Sequence, residues 1–174
     1  MNLKLKEFLA SRGAKHQLVP HPDAFTAQEQ AAVSHVPGRS WAKIVIVKER
    51  DGYAMAVLPA CYAVDLNRLK GLIGHGEIRL ASLEEIQGVV PDEEPGAIAP
   101  FGGLYGLPVF VDRVLVEQRE ITMSAGDRRS AIRMRAAEFL RLANPRIGDF
   151  AVHESLASTI PRRGRPRHAR GGTS

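Results

Sequence analysis

Ile44, Val45, Ile46 and Val47 form an uninterrupted apolar run, and their β-branched side chains favour an extended backbone. With Trp41, Ala42 and Lys43 before it, the run predicts a strand over 41–47 that is buried on both faces. Asp51-Gly52 then supplies the residue pair that a tight hairpin turn prefers, so 53–58 should return antiparallel to it. A chain with such a hairpin has to build a sheet around it.

The other elements alternate without a regular cadence. Leu3, Leu5, Phe8 and Leu9 make a rough helical stripe that ends at Gly13. Thr26 and Glu29 have capping-box spacing before a helix that should run to about His35, and Ser82 and Glu85 repeat that spacing before a helix ending near Gly88. Asp65 can cap a helix carrying Leu66, Leu69, Leu72 and Ile73, closed by Gly74, and a last helix over 136–142 stops at Asn144-Pro145. Short strands are predicted over 16–20, 77–80, 107–112, 118–124 and 131–134. The fold class expected is α+β, a mixed and largely antiparallel sheet flanked by helices.

Apolar periodicity fades after about Leu156, which divides the chain into a domain over 1–156 and a tail over 157–174 expected to be disordered. The formal charge is +5, and of the 24 Lys and Arg the tail holds Arg162, Arg163, Arg165, Arg167 and Arg170, leaving 19 against 19 Asp and Glu. Attraction for polyanions should therefore be strongest in the tail. A single cysteine, Cys61, and the lack of an opening charged-then-apolar segment point to the cytoplasm. No apolar run has the length needed to cross a bilayer, so a membrane is not an expected partner.

Chemistry is concentrated in Glu94-Pro95-Gly96-Ala97-Ile98-Ala99-Pro100-Phe101-Gly102-Gly103. Two prolines stiffen this loop, and Gly96 leaves no side chain between its N–H and a ligand. Such a loop either binds an oxyanion or phosphate through backbone donors or only turns a corner. Lys43 likewise has two readings, a fixed charge carried into a cleft or an amine that snorkels to solvent. Asp112 reads as a polar cap or loop anchor at the end of a strand. The six histidines show no ligand spacing, and no nucleophile elbow, P-loop or dinucleotide fingerprint is present. No metal and no cofactor is expected.

Several short motifs occur in one order: Phe25-Thr26, Ala42-Lys43, Leu58-Pro59-Ala60, Val64-Asp65-Leu66, Gly96-Ala97-Ile98-Ala99-Pro100, Leu107-Pro108-Val109 with Val111-Asp112, and Ser124-Ala125-Gly126. In this order, over about residues 16–145, the chain resembles the YbaK/ProX family of aminoacyl-tRNA editing domains. The resemblance implies a trans-editing deacylase that hydrolyses the ester of mischarged aminoacyl-tRNA without a metal. It implies catalytic roles for Lys43 and Gly96, and substrate contacts from Phe25, Thr26, Ala97, Ile98, Pro100, Ser124 and Gly126. An aminoacyl-tRNA synthetase is a further partner it suggests.

The sequence departs from the family pattern at Asp127-Arg128-Arg129-Ser130-Ala131, where Asp127 could supply a polar function from a shifted position or the two arginines could hold phosphate. The tail also resembles an AT-hook in Arg163-Gly164-Arg165-Pro166, which suggests contact with DNA, although a general Arg-rich tether for nucleic acid fits equally. The alternative to catalysis is a module that binds an aminoacyl-like ligand or nucleic acid and leaves the ester intact.

Overall fold

The structure is a computed structural model that describes residues 1–153. The tail arginines from Arg162 to Arg170 and the predicted domain end at 156 lie outside the described residues.

The elements in order are α1 (Leu3–Ser11), β1 (Gln17–Pro20), α2 (Ala27–Val33), β2 (Trp41–Glu49), β3 (Gly52–Pro59), β4 (Tyr62–Val64), α3 (Leu66–Ile73), β5 (Arg79–Leu80) and α4 (Leu83–Val89). There follow β6 (Val109–Asp112), α5 (Arg113–Val116), β7 (Glu120–Ser124), β8 (Ser130–Arg135), α6 (Ala136–Ala143), β9 (Arg146–Gly148) and β10 (Ala151–His153). The main sheet runs β1-β8-β7-β2-β3-β6-β9, with β5 also on β2, while β10 and β4 form a separate antiparallel pair. Its neighbours are antiparallel except at β2/β7, β3/β6 and β6/β9, so the sheet is mixed as expected.

The predicted hairpin forms the centre, with Glu49 opposite Gly52 and the register continuing to Ala42 opposite Pro59. Strand alternation divides the core. Ala42, Ile46, Met55, Val57, Ile121, Met123, Ile132 and Met134 face a cluster that includes Leu5 and Leu9 of α1 and Phe139 of α6. Val47, Ala54, Ala56, Leu58 and Phe110 face a second cluster with Leu69 and Ile73 of α3 and Phe150. A third, smaller cluster sets Ala27 and Ala31 of α2 against Trp41 and Ala131. Burial on both faces of β2 is not uniform, because Lys43, Ile44 and Val45 are only half-buried.

The reason for that exposure is a notch in the sheet. On the side away from β3, β7 pairs only with Trp41 and Ala42, and β5 pairs only with Val47 and Lys48. The backbone of residues 43–46 therefore has no strand beside it on that side.

The caps follow the sequence closely. Ser82 and Glu85 form a full capping box, and Asp65 accepts from the N–H groups of Asn67 and Arg68. At α2 the Thr26 hydroxyl accepts from the Glu29 N–H, but the Glu29 carboxylate accepts from the N–H of Phe25 at 3.0 Å and so fixes the residue before the cap. Asp112 is the anchor the sequence suggests. Buried at the end of β6, it accepts from the N–H groups of Val114 (2.8 Å), Phe150 (2.7 Å) and Ala151 (2.7 Å).

An unmet hydrogen-bonding group in the interior costs roughly 1–3 kcal/mol. Asp112→Ala leaves one buried and two part-buried donors without their acceptor, so it should lower stability by about 2 kcal/mol or more. Urea unfolding measures this, and a loss below about 0.5 kcal/mol would place the anchoring elsewhere.

Candidate functional site: a cleft in the notch of the sheet

The notch opens into a cavity of about 230 Å³. Three stretches wall it: Phe25, Thr26, Ala27 and Gln28 at the start of α2; Ala42, Lys43, Ile44 and Ile46 on β2; and Pro95, Gly96 and Ile98 on the glycine-proline loop, with Ile86 of α4 beside them. The walls are mainly apolar, so the polar groups that face it are backbone atoms and a few side chains.

What joins these stretches is Gln30, which is fully buried. Its amide nitrogen donates to the carbonyl of Ala24 at 3.1 Å and to that of Gly96 at 3.2 Å, and its amide oxygen accepts from the Ser124 hydroxyl. One side chain thus ties the entry to α2, the loop and β7 together. Gly96 has φ +83°, and a Cβ built on it would lie 2.2 Å from the Phe25 carbonyl oxygen. The neighbour that demands glycine here is protein backbone, in addition to any ligand.

The loop is also held from below. Glu93 is buried, and its carboxylate accepts from the Ala99 N–H at 2.7 Å and from the Asn2 amide at 3.3 Å. The Ala97 N–H bonds to the Glu94 carbonyl, and the Ala97 carbonyl accepts from the Gly126 N–H. Among the described residues no acceptor meets the N–H of Gly96 or of Ile98, and both residues line the cavity. The first reading of the loop requires backbone donors of this kind.

The expected site residues separate into two groups. Lys43, Gly96, Phe25, Thr26 and Ile98 come together on the cavity wall. Ala97, Pro100, Ser124 and Gly126 are buried and do not line it. Ser124 serves the Gln30 amide, and Gly126 joins the loop by accepting from the Glu94 N–H at 3.0 Å. The Lys43 amine donates to the carbonyl of Tyr62 on β4, which links it to protein structure as well as to the cleft.

The divergent stretch after Gly126 also has structural partners. Asp127 pairs with the N-terminal ammonium and accepts from the Ser130 hydroxyl at 2.7 Å. Burial would raise its carboxyl, but the bonds from the ammonium, Ser130 and Arg129 outweigh burial and hold it at about 2. Arg128 lies 4.5 Å over the ring of Phe25, which is 59% exposed, and its Nε is 2.6 Å from Glu94. It therefore clamps two rims of the cavity, a contact with no signal in the sequence beyond its nearness to Gly126. Gln30 could have been found: it lies on the stripe of Ala27 and Ala31, three residues and one residue away, where a polar side chain is out of place. No group of three or more His, Cys, Asp or Glu that could hold a metal occurs among the described residues. None of their helices is long and apolar enough to cross a membrane.

Comparison with known proteins agrees with this fold. The profile of the aminoacyl-tRNA editing domain matches residues 21–142, and the chain belongs to that family. It is 29% identical over 158 residues to the multifunctional Ser/Thr-tRNA deacylase ProXp-y of Escherichia coli K12, covering 84% of this chain and 90% of that protein. It is 32% identical over 95 residues to a proline–tRNA ligase of Thermosipho africanus, which is 55% of this chain and 15% of the ligase. A crystal structure described as a candidate trans-editing enzyme for prolyl-tRNA synthetase superposes with a TM-score of 0.76 at 22% identity, covering 87% of this chain and 99% of that one.

Burial pushes the Glu93 carboxyl up, against bonds from the Ala99 N–H and the Asn2 amide that favour its charged form. A raised value means that the folded protein holds this proton more tightly than the unfolded chain does. Its contribution to stability is fully present below the ordinary carboxylate pKa and is lost as pH rises through the raised value. Glu93→Gln cannot ionise, so between about pH 4 and pH 7 it should lose less stability than the wild type. Urea midpoints at the two pH values check this, and parallel losses in the two proteins would remove Glu93 as the cause.

Proposed function

We propose that the cleft is a metal-free deacylation site for tRNA mischarged with a small amino acid. The family membership supports the reaction, and the observation that carries the site is the pair of cavity-wall N–H groups, Gly96 and Ile98, that lack a protein acceptor among the described residues. A water oxygen bonds to the ester carbonyl carbon, whose oxygen gains negative charge beside these donors. The ester C–O bond then breaks, and the proton of the water passes through a substrate hydroxyl to the departing ribose oxygen. No side-chain nucleophile is needed. Gly96 acts through its backbone, while Lys43 supports the substrate and its negative charge from the edge of the cleft.

The small cavity and its isoleucine walls suit an aminoacyl group of seryl, threonyl or alanyl size, and the name of the Escherichia coli relative points the same way. The likeness to part of a proline–tRNA ligase supports a prolyl-tRNA synthetase as partner, and the cytoplasm as the place of action. The domain over 1–156 would carry the chemistry. The tail arginines would add a salt-sensitive phosphate contact with tRNA or DNA.

Single-turnover deacylation of a panel of mischarged tRNAs tests the proposal. One or more small aminoacyl esters should be cleaved, and EDTA should leave the rate unchanged. Lys43→Ala should lower the rate by about tenfold to a hundredfold, the size expected for a charge-assisted hydrogen bond, and Lys43→Arg should recover part of it. Intact esters across the panel would favour binding without catalysis. A wild-type rate in Lys43→Ala would remove that residue from the site, and loss of activity on chelation would overturn the metal-free mechanism.

A further inference from the structure

The notch leaves a specific pair of backbone groups free. The Trp41 carbonyl accepts from the Ala60 N–H at 2.8 Å and Glu49 lies opposite Gly52 at the hairpin turn, so odd-numbered residues of β2 direct their N–H and C=O toward β3. Even-numbered residues face the other way, as the Ile46 carbonyl does in accepting from the Ala81 N–H at 2.9 Å. Ile44 is even-numbered, lines the cavity and lies between the stretches covered by β7 and β5. Its N–H and C=O point into the cleft, and no partner meets them there among the described residues.

In an antiparallel sheet two facing residues exchange both of their backbone hydrogen bonds. An aminoacyl ester carries an amino group and a carbonyl on one carbon, the same arrangement as one residue of a strand. We propose that the aminoacyl group docks on Ile44 as a one-residue strand, its α-ammonium donating to the Ile44 carbonyl and its ester carbonyl accepting from the Ile44 N–H in the ground state, with the Gly96 and Ile98 donors engaging the same oxygen as it becomes the oxyanion. This rests on the deacylase reading and goes further, because it makes the free α-amine a recognised feature of the substrate and gives β2 the task of reading it. The ammonium bond is charge-assisted and forms between the apolar side chains of Ile46, Ile86 and Ile98, where an unmet carbonyl is costly. The geometry also fixes the hand of the α-carbon, since a D-residue in that register would exchange its side chain and hydrogen.

The test uses stable amide analogues with the intact protein: 3′-(L-alanylamino)-3′-deoxyadenosine and its 3′-propionylamino counterpart, which differ only in the amine. Calorimetry should show the propionyl compound binding at least about tenfold more weakly, the loss typical of a hydrogen bond to a charged group. The Ile44 N–H should gain protection from hydrogen exchange with the alanyl compound, and its ¹³C carbonyl resonance should move. Equal affinity for the two compounds, or an unchanged Ile44 carbonyl, overturns the inference. Absence of binding by both also overturns it, and deacylation of alanyl-, seryl- or threonyl-tRNA by the same preparation then shows whether the deacylase reading stands without it.

Discussion

The cleft depends on the Gln30 amide. Buried on α2, it donates to two carbonyls and accepts one hydroxyl proton, from Ala24, Gly96 and Ser124, which belong to three separate parts of the chain. A buried amide is stable only when its hydrogen bonds are met, so the three segments are held to one arrangement. The close approach of Gly96 to the Phe25 carbonyl follows from it, and so does the width of the opening between loop and helix. Half-buried Arg128 and exposed Glu29 add weaker ties at the rim.

A second constraint acts through the unfinished sheet. Unpaired strand edges invite aggregation, and proteins usually cover or shorten them. Here the open edge of β2 spans little more than residues 43–45 and is screened by the start of α2 and the glycine-proline loop. The same screening that protects the edge encloses a space for a ligand. Backbone donors on the loop and backbone groups on the strand then face a common cavity, which suits a reaction that needs charge stabilisation more than a nucleophile.

The sequence showed the central hairpin, the main helices and most strands because their signals are local: turn residues, caps and apolar runs. It did not show β4, β9 or β10, whose three-residue lengths leave no periodicity and whose existence comes from pairing with distant strands. The parallel pair β2/β7, which with the short β2/β5 pairing leaves the notch, was equally hidden, as was the parallel pair β3/β6. Of the motif residues, Phe25, Thr26, Lys43, Gly96 and Ile98 line one cavity, but nearness in a motif cannot distinguish a residue that lines a cavity from one that supports it. Ala97, Pro100, Ser124 and Gly126 support it.

Hydrolysis in this cleft should require the arrangement that Gln30 imposes. Gln30→Met keeps the length of the side chain and removes its donors, whereas Ser124→Ala leaves both donors in place. Single-turnover deacylation should therefore be measured for both variants, normalised to folded protein by near-ultraviolet circular dichroism. The rate should fall at least about tenfold below wild type for Gln30→Met, as expected when a loop donor is misplaced, and much less for Ser124→Ala. A folded Gln30→Met protein that cleaves at the wild-type rate would contradict this requirement.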